Sequence, residues 1–164
     1  MDRDARQALV ERYKRGYGEV AEALHGASQD ELDARPAPDQ WSARQIVHHL
    51  ADSEMTSAIR LRLLLAQDRA EIRGYDQELF ARMLHYDRPI EASLDAFRAA
   101  RRSTAELLDR MSERDWARAG THSESGPYSV EEWLRLYAAH AHDHAAQIRR
   151  ARAAAGRSPG TQSP

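Results

Sequence analysis

The stretch from Ser129 to Ala155 reads as one uninterrupted amphipathic helix. A helix of that length needs partners along its whole apolar side, so it limits the chain to folds that supply them. Its start is well marked: Ser129 is a good N-cap, Glu132 stands three residues on, and Tyr128 and Trp133 flank them as a hydrophobic staple. At 100° per residue, Trp133, Leu136, Tyr137, His140, His144, Gln147, Ile148 and Ala151 share one face. Glu131, Arg135, His142 and Arg149 fall on the opposite, solvated face. Two imidazoles one turn apart therefore lie in the stripe expected to face the core. Buried histidines need partners, and a His-x3-His pair on one face can grip a divalent metal. Alone the pair is weak. With 8 histidines in 164 residues, chance supplies roughly 0.4 such pairs, and two ordinary core histidines would look the same.

The remainder of the chain offers that helix its partners. Ala, Arg, Leu and Glu, strong helix formers, are abundant and β-branched residues are sparse. From about Asp4 to His25, Leu9, Tyr13, Val20 and Leu24 recur at helical spacing, and Gly26 ends the helix with His25 in its last turn. Ser28 to Arg35 predicts a short capped turn closed by Pro36 and Pro38. A second long helix opens at Trp41-Ser42, where Ser42 and Gln45 form a capping box and Trp41 and Ile46 a staple, and runs to about Gln67. On its wheel Ile46, Val47, Leu50, Leu61, Leu64 and Leu65 make the apolar arc. His49 lies at the arc's margin in line with Ser53, Thr56 and Arg60, with Asp52 nearby, as the wall of a cavity would. His48 points about 100° away and is expected at a boundary or in solvent. Asp68 to Arg88 is a long connection with a short helix over Asp76 to Met83. A third long helix spans about Ile90 to Met111, with Leu94, Phe97, Arg101, Thr104, Leu108 and Met111 in heptad-like order. Ser112 to Trp116 reads as a turn, residues 117–127 as a loop or small hairpin with His122 solvated, and Arg157 to Pro164 as a disordered tail. Four long amphipathic helices predict an all-α fold, a single four-helix bundle over residues 1–156.

Composition narrows the chemistry. Twenty-four basic and 26 acidic residues are interspersed to a net charge of −2, so no nucleic-acid surface is indicated. There is no cysteine, which excludes disulfides, thiolate metal sites and a cysteine nucleophile. No apolar run reaches membrane length and the charged N-terminus is unlike a leader, so the reading is a soluble cytoplasmic protein with no membrane partner.

Trp41-Ser-x-x-Gln-Ile-Val-His-His-Leu-Ala-Asp-Ser-Glu54, followed by His140-x-x-x-His144-x-x-Gln147-Ile148, resembles the DinB-like superfamily of metal-binding four-helix bundles. Within it the likeness is to the YfiT-like metal-dependent hydrolases and bacillithiol S-transferases. It extends to Ala58-Ile-Arg60, Ile72-Arg-Gly-Tyr75-Asp76 and Leu136-Tyr137-Ala138, covering roughly residues 40 to 150. The resemblance implies a bundle with long crossover connections, commonly a homodimer, and one metal held by His49, His140 and His144. The leucine after the His48-His49 doublet favours His49, because the family pattern reads His-Leu there. Three imidazoles suit Zn²⁺ or Ni²⁺, with Fe²⁺, Co²⁺ or Mn²⁺ as alternatives. No fourth protein ligand is evident, and three ligands with an open position is the catalytic arrangement.

The activity implied is that of a thiol S-transferase or hydrolase acting on a small electrophilic molecule. A low-molecular-weight thiol would be the cosubstrate, since this chain brings no sulfur nucleophile of its own. A non-catalytic, stress-associated metal-binding bundle and a thiol-dependent isomerase are the alternatives. Several side chains have two readings. Arg60 holds a ligand carboxylate or phosphate, or forms an ion pair. Gln147 bonds a ligand, or makes a contact between helices. Asp52 and Asp143 orient an imidazole N–H, or are solvated carboxylates. Ser53, Thr56, Arg60 and Tyr75, with Asp76, are the candidates for the pocket wall and mouth.

Overall fold

The computed structural model describes residues 1–156, and the expected tail from Arg157 to Pro164 lies outside them. Four long helices carry the fold: α1 (Arg3–Leu24), α3 (Ala43–Ala66), α5 (Glu91–Leu108) and α7 (Val130–Arg152). Short helices α2 (Gln29–Asp33), α4 (Gln77–Met83) and α6 (Glu113–Trp116) lie in the connections. The caps explain the starts. Ser28, Ser42, Ser112 and Ser129 each close a reciprocal capping box with the residue three positions on, and Asp76 caps α4.

The helix directions follow from which ends meet. The amino group of Met1 pairs with Glu131 at 3.0 Å, and Arg152 Nη1 donates to the Ala23 carbonyl at 2.5 Å, so α1 and α7 run parallel. Arg44 and His48 meet Arg88 just before α5, whereas Arg62 Nη2 donates to Ser103 Oγ at 2.9 Å near its end, so α3 and α5 are also parallel. Joining two parallel neighbours requires the chain to return the length of the bundle, and residues 67–90 make that crossover.

The crossover and the connection from α5 to α7 contribute strands to a small sheet that an all-α expectation omits. Strands β1 (Ala70–Ile72), β2 (Ala119–His122) and β3 (Gly126–Ser129) lie in the order β1-β2-β3, with β1 parallel and β3 antiparallel to β2. Residues 117–127 thus do form a hairpin, and β1 pins it to the end of α3. The parallel pairing requires glycine at 120, where an added Cβ would stand 2.3 Å from the Ala70 carbonyl oxygen.

The interior has two apolar halves. One gathers Tyr13, Leu61, Leu64, Trp133 and Leu134; the other gathers Val20, Ile46, Leu50, Phe97 and Ile148. Between them along every long helix lies a polar layer centred on Arg101, whose side chain is 2% exposed, and Glu54, at 1%. Arg101 pairs with Glu54 on α3 at 2.5 Å and donates to the carbonyls of Tyr13 on α1 (2.7 Å) and Tyr137 on α7 (2.9 Å). Tyr13 also donates its hydroxyl to Glu54 and lies under the guanidinium, 4.0 Å from its ring centroid. One side chain on α5 therefore ties all four long helices.

Three expectations are corrected. His48 is fully buried, not at a boundary: its Nε2–H donates to the Arg88 carbonyl (3.0 Å) and Nδ1 accepts from the Ser93 hydroxyl (2.8 Å). His122 is buried in β2, not solvated. Leu136 is 50% exposed, while Leu134, Ala138, Ala141 and Ala145 are fully buried. The buried face of α7 is thus rotated from the one that periodicity alone suggests, and the line Leu136–His140–His144 runs along its edge.

Candidate metal centre

That edge faces α3. Because α3 and α7 pack antiparallel, His49 from the first third of α3 meets His140 and His144 from the middle of α7. The Nε2 of His140 lies 3.4 Å from that of His49 and 3.2 Å from that of His144. One nitrogen from each ring falls within a 4.8 Å cluster, and among the described residues no carboxylate shares it. His49 is 4% exposed and packs on Trp41 with ring centroids 5.0 Å apart; His140 and His144 are half-buried.

The donor set fits a divalent ion. Bonds of about 2.0–2.1 Å to tetrahedrally arranged nitrogens set those nitrogens about 3.3–3.4 Å apart, close to the two separations that His140 Nε2 makes. Protonation agrees. Burial pushes His140 down to about 2 and His49 down to about 3, each pushed further by its imidazole neighbours, and burial lowers His144 as well. Neutral imidazole is the form that ligates. Gln147 Oε1 accepts from His144 Nδ1–H at 2.7 Å, which leaves the lone pair of His144 on the Nε2 turned toward its neighbours.

The other predicted residues divide into two groups. Ser53, Arg60 and Tyr75 line a cavity of about 280 Å³ that opens onto His49 and His140. Arg60 donates to the Tyr137 hydroxyl (3.1 Å) and the Arg73 carbonyl (2.8 Å), and stands over the ring of Tyr75. Thr56 does not reach this cavity; its hydroxyl donates to the Asp52 carbonyl one turn back (2.7 Å), and its side chain lines a neighbouring groove. Asp52 orients no histidine, since its carboxylate accepts from Tyr86 at 2.6 Å. Asp143 is exposed, and the acceptor on His144 is Gln147 in its place. Asp76 is spent on capping α4. Gln147 accepts through Oε1 from a histidine of its own helix and also lines an opening.

Residues missed by sequence reasoning complete the wall: Tyr128, His122, Glu124 and Leu136. His122 Nδ1 accepts from the Glu124 N–H at 3.2 Å, which leaves the proton on Nε2. Leu136 comes from α7, but only the pairing of β2 with both other strands brings Tyr128, His122 and Glu124 to this wall, and nothing local signals that. A second opening, of about 220 Å³, reaches His144 and Gln147 from the far side past Trp41. Gln77 borders both openings, so the start of α4 roofs the histidines. A larger cleft of about 560 Å³ lies over β1 and β2; none of the three histidines lines it.

Comparison with known proteins gives a consistent set of likenesses. Residues 12–148 match the DinB superfamily. A protein of Oceanobacillus iheyensis named a putative metal-dependent hydrolase is 36% identical over 121 residues, spanning 74% of this chain and 70% of that one. One of the same name from Bacillus mycoides is 31% identical over 130 residues, spanning 79% and 75%. The solved structure of YfiT from Bacillus subtilis, described as a probable metal-dependent hydrolase with an unusual four-helix bundle topology, superposes with a TM-score of 0.88. It is 25% identical and covers 96% of this chain and 91% of its own.

Proposed function

This chain belongs to the DinB superfamily, and from that premise and the convergence of three neutral imidazoles we propose that it is a metal-dependent enzyme acting on a small electrophilic molecule. His49, His140 and His144 would hold one divalent ion, Zn²⁺ or Ni²⁺ first among those that imidazoles suit. Such an ion supplies Lewis acidity and lowers the pKa of a protic nucleophile bound to it. The nucleophile is water for a hydrolase and a low-molecular-weight thiol for an S-transferase, the sulfur necessarily coming from the cosubstrate because the chain has no cysteine.

The chain's own residues do the rest. Gln147 holds His144 in the ligating tautomer, and Trp41 packs on His49 and restricts its ring. Ser53, Arg60 and Tyr75 form a polar wall along which a small substrate lies beside the histidines. The buried rings, which resist protonation, keep the donor set intact below neutral pH.

The observation that carries this reading is the meeting of three Nε2 atoms from two helices with no fourth protein donor among the described residues. Elemental analysis of tag-free protein, purified without a chelating column, tests it beside His49→Ala. About one metal per chain, lost in the variant, supports the centre, and electrophiles are then screened with and without thiols. Turnover only with a consumed thiol identifies a transferase, turnover without net consumption an isomerase, and turnover without thiol a hydrolase. A loaded chain inactive towards all of them would be a binding bundle. The same reading takes residues 1–156 as one domain and the protein as a cytoplasmic homodimer, which light scattering checks for the dimer.

A further inference from the structure

We infer that Arg60, Tyr128 and Tyr137 form a carboxylate-binding subsite beside the histidines, which makes the substrate a small molecule carrying a carboxylate; the subsite is new, and its part in turnover rests on the metal reading above. Arg60 takes part in no ion pair among the described residues. Its two terminal nitrogens are occupied by neutral oxygens, the Tyr137 hydroxyl and the Arg73 carbonyl. Its Nε–H is buried with no acceptor, and the hydroxyl of Tyr128, a residue only 8% exposed, is buried without a partner too. Both side chains line the cavity that opens onto His49 and His140. Buried donors are normally satisfied, so two orphans beside an uncompensated cation describe a missing acceptor with negative charge.

The donors match a carboxylate. Arg60 Nε–H and the Tyr128 hydroxyl each have a proton to give. Tyr137, whose oxygen accepts from Arg60, keeps its own proton as a third donor. Arg60 is the one cationic side chain in the lining, and Glu124 is exposed at the mouth against Gly74, so a phosphate dianion would be left undercompensated. The cavity of about 280 Å³ suits the carboxylate end of a small acid.

The probe is benzoate, with benzamide as its uncharged analogue, titrated calorimetrically into the full chain both chelator-stripped and metal-loaded. Benzoate is expected to bind the stripped chain. Binding should weaken by about tenfold or more in Arg60→Met and by about threefold or more in Tyr128→Phe, with benzamide binding at least about tenfold more weakly than benzoate. Tyr128→Phe should melt no lower than the parent, because the deleted hydroxyl has no partner to lose. If Arg60→Met fails to fold, Arg60→Lys and Tyr128→Phe decide. Binding unaffected by these changes, binding seen only with metal present, or no binding at all each overturns the subsite; the second puts the anion on the metal, and the last leaves the orphans to water. Arg60-dependent binding in a chain that takes up no metal would keep the subsite and remove the metal centre.

Discussion

Replacing Arg101 with methionine removes a side chain that touches all four long helices. Methionine keeps much of the length but none of the donors. The change leaves Glu54 without its cation and leaves the carbonyls of Tyr13 and Tyr137 without their donors. With both partners of the pair at most 2% exposed, water cannot take Arg101's place without opening the bundle. Breaking a buried pair from one side costs about 3–5 kcal/mol. Domains of this kind are stable by about 5–15 kcal/mol in total, and at roughly 2–4 °C per kcal/mol the melting temperature should fall by about 6–20 °C. Glu54→Gln should cost a similar amount, since it strands the guanidinium while retaining an acceptor for Tyr13. The double variant should lose about 1–3 kcal/mol less than the sum of the two, because neither charge is then left alone. Urea unfolding followed by circular dichroism at 222 nm measures all three. Single losses below about 1 kcal/mol, or strict additivity, would mean that the layer is solvated and that the two apolar halves alone hold the bundle.

Further tests address the site. His140→Ala or His144→Ala should abolish tight metal binding, whereas His142→Ala, which loses only a hydrogen bond from its Nε2–H to the Arg12 carbonyl (2.9 Å), should keep the metal and cost about 1 kcal/mol; elemental analysis and melting separate the two. Gln147→Leu removes the acceptor of His144 Nδ1–H and should weaken metal binding about 10–100-fold in a chelator competition, with little change in stability. The metal-free chain should lose stability as pH falls below about 6.5 and go on losing it towards 3, because the unfolded chain takes up protons that His49 and His140 refuse when folded. The slope is roughly 1.4 kcal/mol per pH unit for each imidazole, and denaturant titrations from pH 7 to 4 should show it flatten in His49→Ala.

What could be read without coordinates was local. Capping boxes are made within four residues, so Ser42 with Gln45 and Ser129 with Glu132 announced where α3 and α7 begin. Helical phase separated His49 from its neighbour His48 and put His140 and His144 on one side of α7, and those three rings do converge. Phase did not say how far the buried arc extends, because that depends on what packs against it; hence the exposed Leu136 and the buried His48.

Everything between distant segments belonged to the tertiary structure. A strand of three residues such as β1 has no signal of its own and exists through its pairing with β2, fifty residues later in register. The same pairing buries His122 and brings Tyr128 into the cavity wall. Arg101 stands in a heptad position that predicts an apolar residue, and its role follows only from Glu54, Tyr13 and Tyr137 arriving from three other helices. The sequence by itself determined the helices, their caps and the candidate ligands, since these depend on neighbours a few residues apart. Which polar groups were satisfied and which were left without a partner was decided only by packing, because a donor's partner is set by distance in space.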